Sequence, residues 1–308
     1  MRTVHGVLAI VLSVPLAAQP EESARLVRNG SSATLIVSDR RPLDAAATLL
    51  AKEFGLQVNV EDPLYFHRYD IEDVTTLVSR VSKPLKRTFV PRTRLIEVTF
   101  DVTPDGAPRD VPALLQSLVD ASNDETPFAY RVDRDRDVFS LIPTRTRDAQ
   151  GRVIDATPIL DRRITIPQGT RRVFEHVNML TDALAKQTGV HVSCCQAGVA
   201  GIAWGSTVTS FEAHDEQART ALLRLVRSER GQYHWLMRCQ PAEAWCFINV
   251  VRVQRSSSSP VDPLAASSTT FPRRFSIVST SPRSACTAIA CDRESRCKSA
   301  RSLSEMSA

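Results

Sequence analysis

Leu50-Ala51-Lys52-Glu53-Phe54-Gly55-Leu56-Gln57-Val58 returns later in the chain as Leu184-Ala185-Lys186-Gln187-Thr188-Gly189-Val190-His191-Val192. Farther on, Ala113-Leu114-Leu115-Gln116-Ser117-Leu118-Val119 is echoed by Ala221-Leu222-Leu223-Arg224-Leu225-Val226. Two matches in the same order predict two copies of one small α+β module. Duplication of this kind argues for a scaffold that presents surface rather than for a particular reaction.

Working outward from the first phrase, Thr34-Leu35-Ile36-Val37 reads as a strand, and Pro42 occupies a favoured early helix position. Leu43, Ala46, Leu50 and Phe54 fall on one helical face, and Gly55 follows where a left-handed cap costs glycine nothing. Leu56 to Val60 then alternates as a strand, so the order is β-α-β. Leu95 to Phe100 is the next strand, Asp110 caps a helix carrying Leu114, Leu115, Leu118 and Val119, and 128–132 with 138–142 make a hairpin. The second copy repeats this order. It has a strand at 163–166, a helix bearing Val173, Val177, Leu180 and Leu184 that ends at Gly189, and strands at 191–194 and 207–209. Asp215 then caps a helix with Ala218, Leu222, Leu225 and Val226, and a last hairpin joins Tyr233–Cys239 to Trp245–Val251. The expected fold is α+β, two tandem β-α-β-β-α-β-β modules with helices packed against small sheets. The first module spans 32–144 and the second 159–254, with a polar linker at 145–158. The two phrases stand farther apart in the first copy, and the excess falls at about 61–94, a charged, proline-punctuated stretch expected to be a solvated excursion.

The start reads as a secretory signal over residues 1–18: Arg2, an apolar stretch from Gly6 to Leu16, then Ala17 and Ala18 before Gln19-Pro20. The apolar run is short for about 30 Å of hydrocarbon, and no later segment reads as a membrane span, so the mature chain is expected in the periplasm or secreted. Residues 19–31 read as a loose leader. The net charge of +5 is carried by Arg2 and by the tail from Arg255 onward, where eight basic residues meet four acidic ones. The body between is neutral, which gives no electrostatic reason for a nucleic-acid partner. Residues 255–308 are rich in Ser and Arg with little periodicity, a composition expected of disorder. A shifted reading frame gives the same composition.

The element order, with Pro42-Leu43-Asp44-Ala45-Ala46-Ala47 through Gly55-Leu56-Gln57-Val58 and then Leu184 to Val190 and Ala221-Leu222-Leu223, resembles the secretin and TonB short N-terminal domain. Members of that family usually precede a secretin pore or an outer-membrane barrel and make protein contacts in the periplasm. The resemblance implies a non-catalytic scaffold with envelope proteins as partners, and it brings no catalytic residue and no cofactor. A stand-alone double module departs from the family pattern.

All seven cysteines lie between Cys194 and Cys297. Export places them where disulfides persist. If the last hairpin turns through Pro241-Ala242-Glu243-Ala244, Cys239 faces Cys246 across the two strands, on the apolar side, and a disulfide between them is expected. Cys194 and Cys195 are the rival partners. The competing functional class is a periplasmic metal or redox protein built on His176, His191, Cys194, Cys195, His214, His234, Cys239 and Cys246. Their spacing matches no standard zinc motif, and disulfides need fewer coincidences. The alternating Asp133 to Asp137 tip, with Arg134 and Arg136 between the acids, reads as a solvated turn rather than a calcium or acid–base site.

Overall fold

The computed structural model describes residues 23–78, 87–124, 127–194, 204–229 and 231–253, which all belong to one compact unit. Among the described residues five α-helices and fourteen strands form several sheets, the mixed α+β class expected from the sequence. The signal segment, Lys83 to Lys86, Cys195 and the tail lie outside the described residues.

The first half runs β1 (Ala24–Asn29), β2 (Ser32–Asp39), α1 (Pro42–Phe54), β3 (Gln57–Glu61), β4 (Ile71–Asp73), α2 (Thr75–Val78), β5 (Phe89–Pro91), β6 (Arg94–Asp101), α3 (Val111–Asp124), β7 (Ala129–Asp135), β8 (Val138–Arg147) and β9 (Val153–Asp155). After a 3₁₀ turn at Ile159–Asp161 come β10 (Arg163–Arg172), α4 (Val173–Thr188), β11 (His191–Cys194), β12 (Val208–Gln217), α5 (Ala218–Arg227), β13 (Tyr233–Cys239) and β14 (Trp245–Arg252). Pro42 sits in the first turn of α1, and Gly55 closes that helix at φ 71°; Gly189 closes α4 at φ 70°. A side chain there would pay the left-handed penalty that glycine avoids.

The central sheet has the order β11-β14-β13-β3-β8-β7, with β9 also paired to β8. β3 lies parallel to β8, β11 parallel to β14, and β7/β8 and β13/β14 are antiparallel hairpins. Separate small sheets join β1-β2-β6 and β10-β12, and β4 pairs with β5. Alternation along the strands sends side chains to two cores. Val58 and Val60 of β3, Phe139 and Leu141 of β8 and Leu236 of β13 pack with α1 and α3. Trp235, Met237 and Cys239 of β13 and Cys246 and Ile248 of β14 pack with α4 and α5. Helices of the first half therefore cover one face of the central sheet, and those of the second half cover the other. A strand buried on both faces loses its polar alternation, which is why β13 reads Tyr-His-Trp-Leu-Met without interruption.

Several expectations are corrected. The leader is not loose over its length: β1 pairs with β2 from Ala24 to Asn29. Its hairpin turns through Gly30-Ser31, with Gly30 at φ 59° in the first loop position, where a two-residue loop takes glycine. The described parts of 61–94 are packed in part rather than wholly solvated. Tyr65 is buried with its ring edge-on to Phe128, and Ile71 and Val74 are buried too. The linker holds β9, which pairs Val153–Asp155 with Arg145–Arg147. Asp215 does not cap α5: β12 runs straight into the helix, the Arg162 carbonyl takes the Ala218 N–H at 2.8 Å, and Asp215 makes an ion pair with Arg163. Asp110 does cap α3, accepting the Ala113 N–H at 3.0 Å. Ala113 is exposed whereas Ala221 is buried, so the two phrases do not occupy the same helical phase as written. A shift of one residue puts the buried Leu114, Leu115, Leu118 and Val119 in phase with Ala221, Leu222, Leu225 and Val226.

Candidate functional site

The two halves meet where β13 lies parallel to β3, and side chains complete most of this seam. Gln57 Nε2 donates to the Tyr233 carbonyl (2.8 Å), the Trp235 N–H donates to Asn59 Oδ1 (3.0 Å), and the Asp62 N–H donates to the Met237 carbonyl (2.9 Å). Asn59 in turn donates to Ser140 of β8. At the end of the seam the Asp62 carboxylate accepts from the Cys239 N–H, from Tyr65 Oη and from Arg41 Nε (2.5 Å), while Arg41 Nη2 donates to the Cys239 carbonyl. Buried polar groups cost little only when they are paired in this way.

Below the seam, Glu61 and Arg219 form an ion pair closed to solvent. Arg219 Nη2 donates to Glu61 Oε2 (2.5 Å) and Asp161 Oδ1 (3.0 Å), and its guanidinium lies 5.9 Å from the Trp235 ring centre. The other Glu61 oxygen accepts the Leu160 N–H. Burial pushes the Glu61 carboxyl above the usual carboxylate range, against the pull of Arg219 and of the Leu160 N–H. Asp44 is also raised by burial, although Arg238 Nε donates to it at 2.6 Å.

Beside this network, at the carboxyl ends of the parallel strands β3 and β8, a cleft of about 340 Å³ opens. Pro63, Leu64 and Phe66 line it from the segment after β3, Pro143 and Thr146 from β8, Ile154 from β9, and Ile159 and Val190 from the second half. Phe66 and Ile154, both in its lining, are each 43% exposed. Crevices at the carboxyl ends of parallel strands are a recurrent place for binding, and exposed apolar side chains around one mark a contact surface.

Cys239 and Cys246 lie directly opposite in the β13–β14 register and form a disulfide, as the turn through 241–244 predicts. That pairing excludes Cys194 and Cys195 as partners of the hairpin. Cys194 is itself disulfide-bonded, and Cys195 lies outside the described residues. The histidines are scattered. His176 is buried in α4 against the Phe211 ring, His191 and His214 are exposed on β11 and β12, and His234 is buried on β13. Among the described residues no three His, Cys, Asp or Glu side chains converge as metal ligands would. The Asp/Arg tip is exposed and joins the halves through Arg227, which donates to the Asp135 carboxylate at 2.9 Å. Among the described residues no helix is long and apolar enough to cross a membrane. The disulfide is consistent with an oxidising compartment.

Sequence reasoning missed Asn59, Glu61, Asp62 and Arg219. Asn59 and Glu61 alternate with Val58 and Val60, the ordinary pattern of a half-solvated strand. Only the second half's packing on that face turns them into a buried network. Scans against protein-family models, curated proteins and solved structures found no match.

Proposed function

We propose that this chain is an exported, non-catalytic scaffold that acts by protein–protein contact in the bacterial envelope, in the manner of the secretin and TonB short N-terminal modules. On this reading its two halves are tandem copies of one module. The strand pairing supports that duplication. β2 with β6 corresponds to β10 with β12, β3 with β8 to β11 with β14, and the hairpin β7/β8 to β13/β14. In each half the first parallel pair begins two residues after the capping glycine, Gln57 with Val138 and His191 with Trp245.

The observation that carries the functional reading is the junction itself. The copies are fused through one sheet and a buried polar seam, and an apolar cleft rimmed by Phe66 and Ile154 opens beside it. A rigid body with an apolar groove and a polar surround suits recognition of another protein. The partner contact is placed at that cleft. Photocrosslinking in the cells that produce the protein tests this, with a photoreactive residue at Phe66 or Ile154 and a control at the exposed Val208 of β12. Discrete adducts at the first two positions and not at Val208 are expected. No adducts, or the same adducts at all three, would refute a dedicated contact at the cleft.

A further inference from the structure

His234 occupies the middle of the seam. It is fully buried, and its Nδ1 lies 2.9 Å from the Val58 carbonyl of β3. A carbonyl only accepts, so Nδ1 carries the ring proton and Nε2 is the bare nitrogen. Nε2 is shielded from solvent and has no hydrogen-bond partner among the described residues. A proton arriving there would leave an imidazolium among Leu236, Val58 and Val60, with no acceptor for its second N–H.

Among the described residues no charge offsets that cation. On β3, Glu61 points to the opposite sheet face and is held by Arg219. On α1, Asp44 is paired with Arg238 of β13 and Glu53 with Arg28, while Lys52 is exposed and cationic. On β14, Arg252 is exposed and of the same sign. We infer that the joint between β3 and β13 is acid-labile, with His234 as the group that senses pH and loosens one half of the molecule from the other.

The direction follows from linkage. Burial, opposed only by the Val58 carbonyl, lowers the His234 value below the ordinary 6.5. Stability from the closed joint is then full above about pH 6.5 and falls as the pH drops toward the lowered value, because the opened joint binds the proton first. Glu61 and Asp44 have raised values, so they bind protons more readily in the closed state and oppose this loss. The acid weakening therefore belongs to His234, not to the buried carboxyls.

Hydrogen exchange of the full chain at pH 7.5, 6.5 and 5.5, corrected for intrinsic rates, tests the inference in the wild type and one variant. Residues 57–62 and 233–239 are compared with the β2–β6 pair as an internal reference. In the wild type, one proton taken up on opening should raise the opening equilibrium of the seam by up to about tenfold per pH unit below 6.5. His234→Asn, whose amide reaches the Val58 carbonyl but does not titrate, should show no such slope. An unchanged wild-type seam, or an equal slope in His234→Asn, overturns the inference. If His234→Asn does not fold, the wild-type His234 ring resonance decides the matter. Titration clearly below 6.5 upholds the inference, and titration at or above 6.5 overturns it.

Discussion

Replacing Arg219 with Met removes the only cation among the described residues that touches Glu61 and leaves a carboxylate with no solvent exposure beside Leu160. Two hydrogen bonds to Asp161 and the stacking over Trp235 go with it. Breaking a buried pair by deleting one partner costs about 3–5 kcal/mol, because the remaining charge is stranded. Asp161 is half-buried and regains water, so Glu61 should account for most of that loss. The variant's Glu61 then has a folded value raised further above the unfolded value of about 4.3. Its stability is fullest below that unfolded value and is lost as the pH rises through the folded one. The deficit of Arg219→Met should accordingly be larger at pH 8 than at pH 5. Adding Glu61→Gln, which still accepts the Leu160 N–H, should recover most of it at pH 8. Equilibrium urea unfolding at both pH values measures these differences directly. A deficit under about 1 kcal/mol at pH 8, or a double variant no more stable than Arg219→Met, would refute the claim that a stranded Glu61 carboxylate accounts for the loss.

Asn59→Ala strips the Trp235 N–H and Ser140 of their partner inside the seam and should cost about 1–3 kcal/mol in urea unfolding, because a buried donor is left unsatisfied. Removing the hairpin disulfide with Cys239→Ser and Cys246→Ser together should cost less than about 3 kcal/mol, since the closed loop is far shorter than the fifteen residues for which that figure holds. Gly189→Ala should lower stability by about 1–2 kcal/mol although its Cβ meets no atom within 4 Å, because the cost is backbone strain at φ 70°.

Local signals were legible where physics is local. Pro42, Gly55 and Gly189 fixed helix ends, and the buried faces of α3 and α4 follow the expected spacing. The disulfide followed from counting outward from the turn at 241–244, because an antiparallel register leaves one partner for each residue. What failed was long-range. The joint between β3 and β13 links residues 176 apart, and nothing in Gln57 to Glu61 announces which strand will lie alongside. Asn59 and Glu61 therefore read as solvent-facing, and His234 as a reactive side chain rather than part of a buried seam. Gly30 is a local turn signal, but the weakly apolar Ala24 to Asn29 before it reads as a leader. The cleft rim combines Phe66, Ile154 and Val190 from three segments, an arrangement that no spacing in the chain encodes.

The central claim is that the cleft is a protein-contact surface, and a charge placed on its rim tests that directly. Phe66→Asp with Ile154→Asp alters two side chains that are already partly exposed, so folding should be preserved, with an unchanged melting temperature as the check. Size-exclusion chromatography of gently solubilised envelope extract then reports whether the protein travels in a larger assembly. The wild type is expected to elute with a partner and the double variant alone. Identical elution of the two, with both folded, would contradict it.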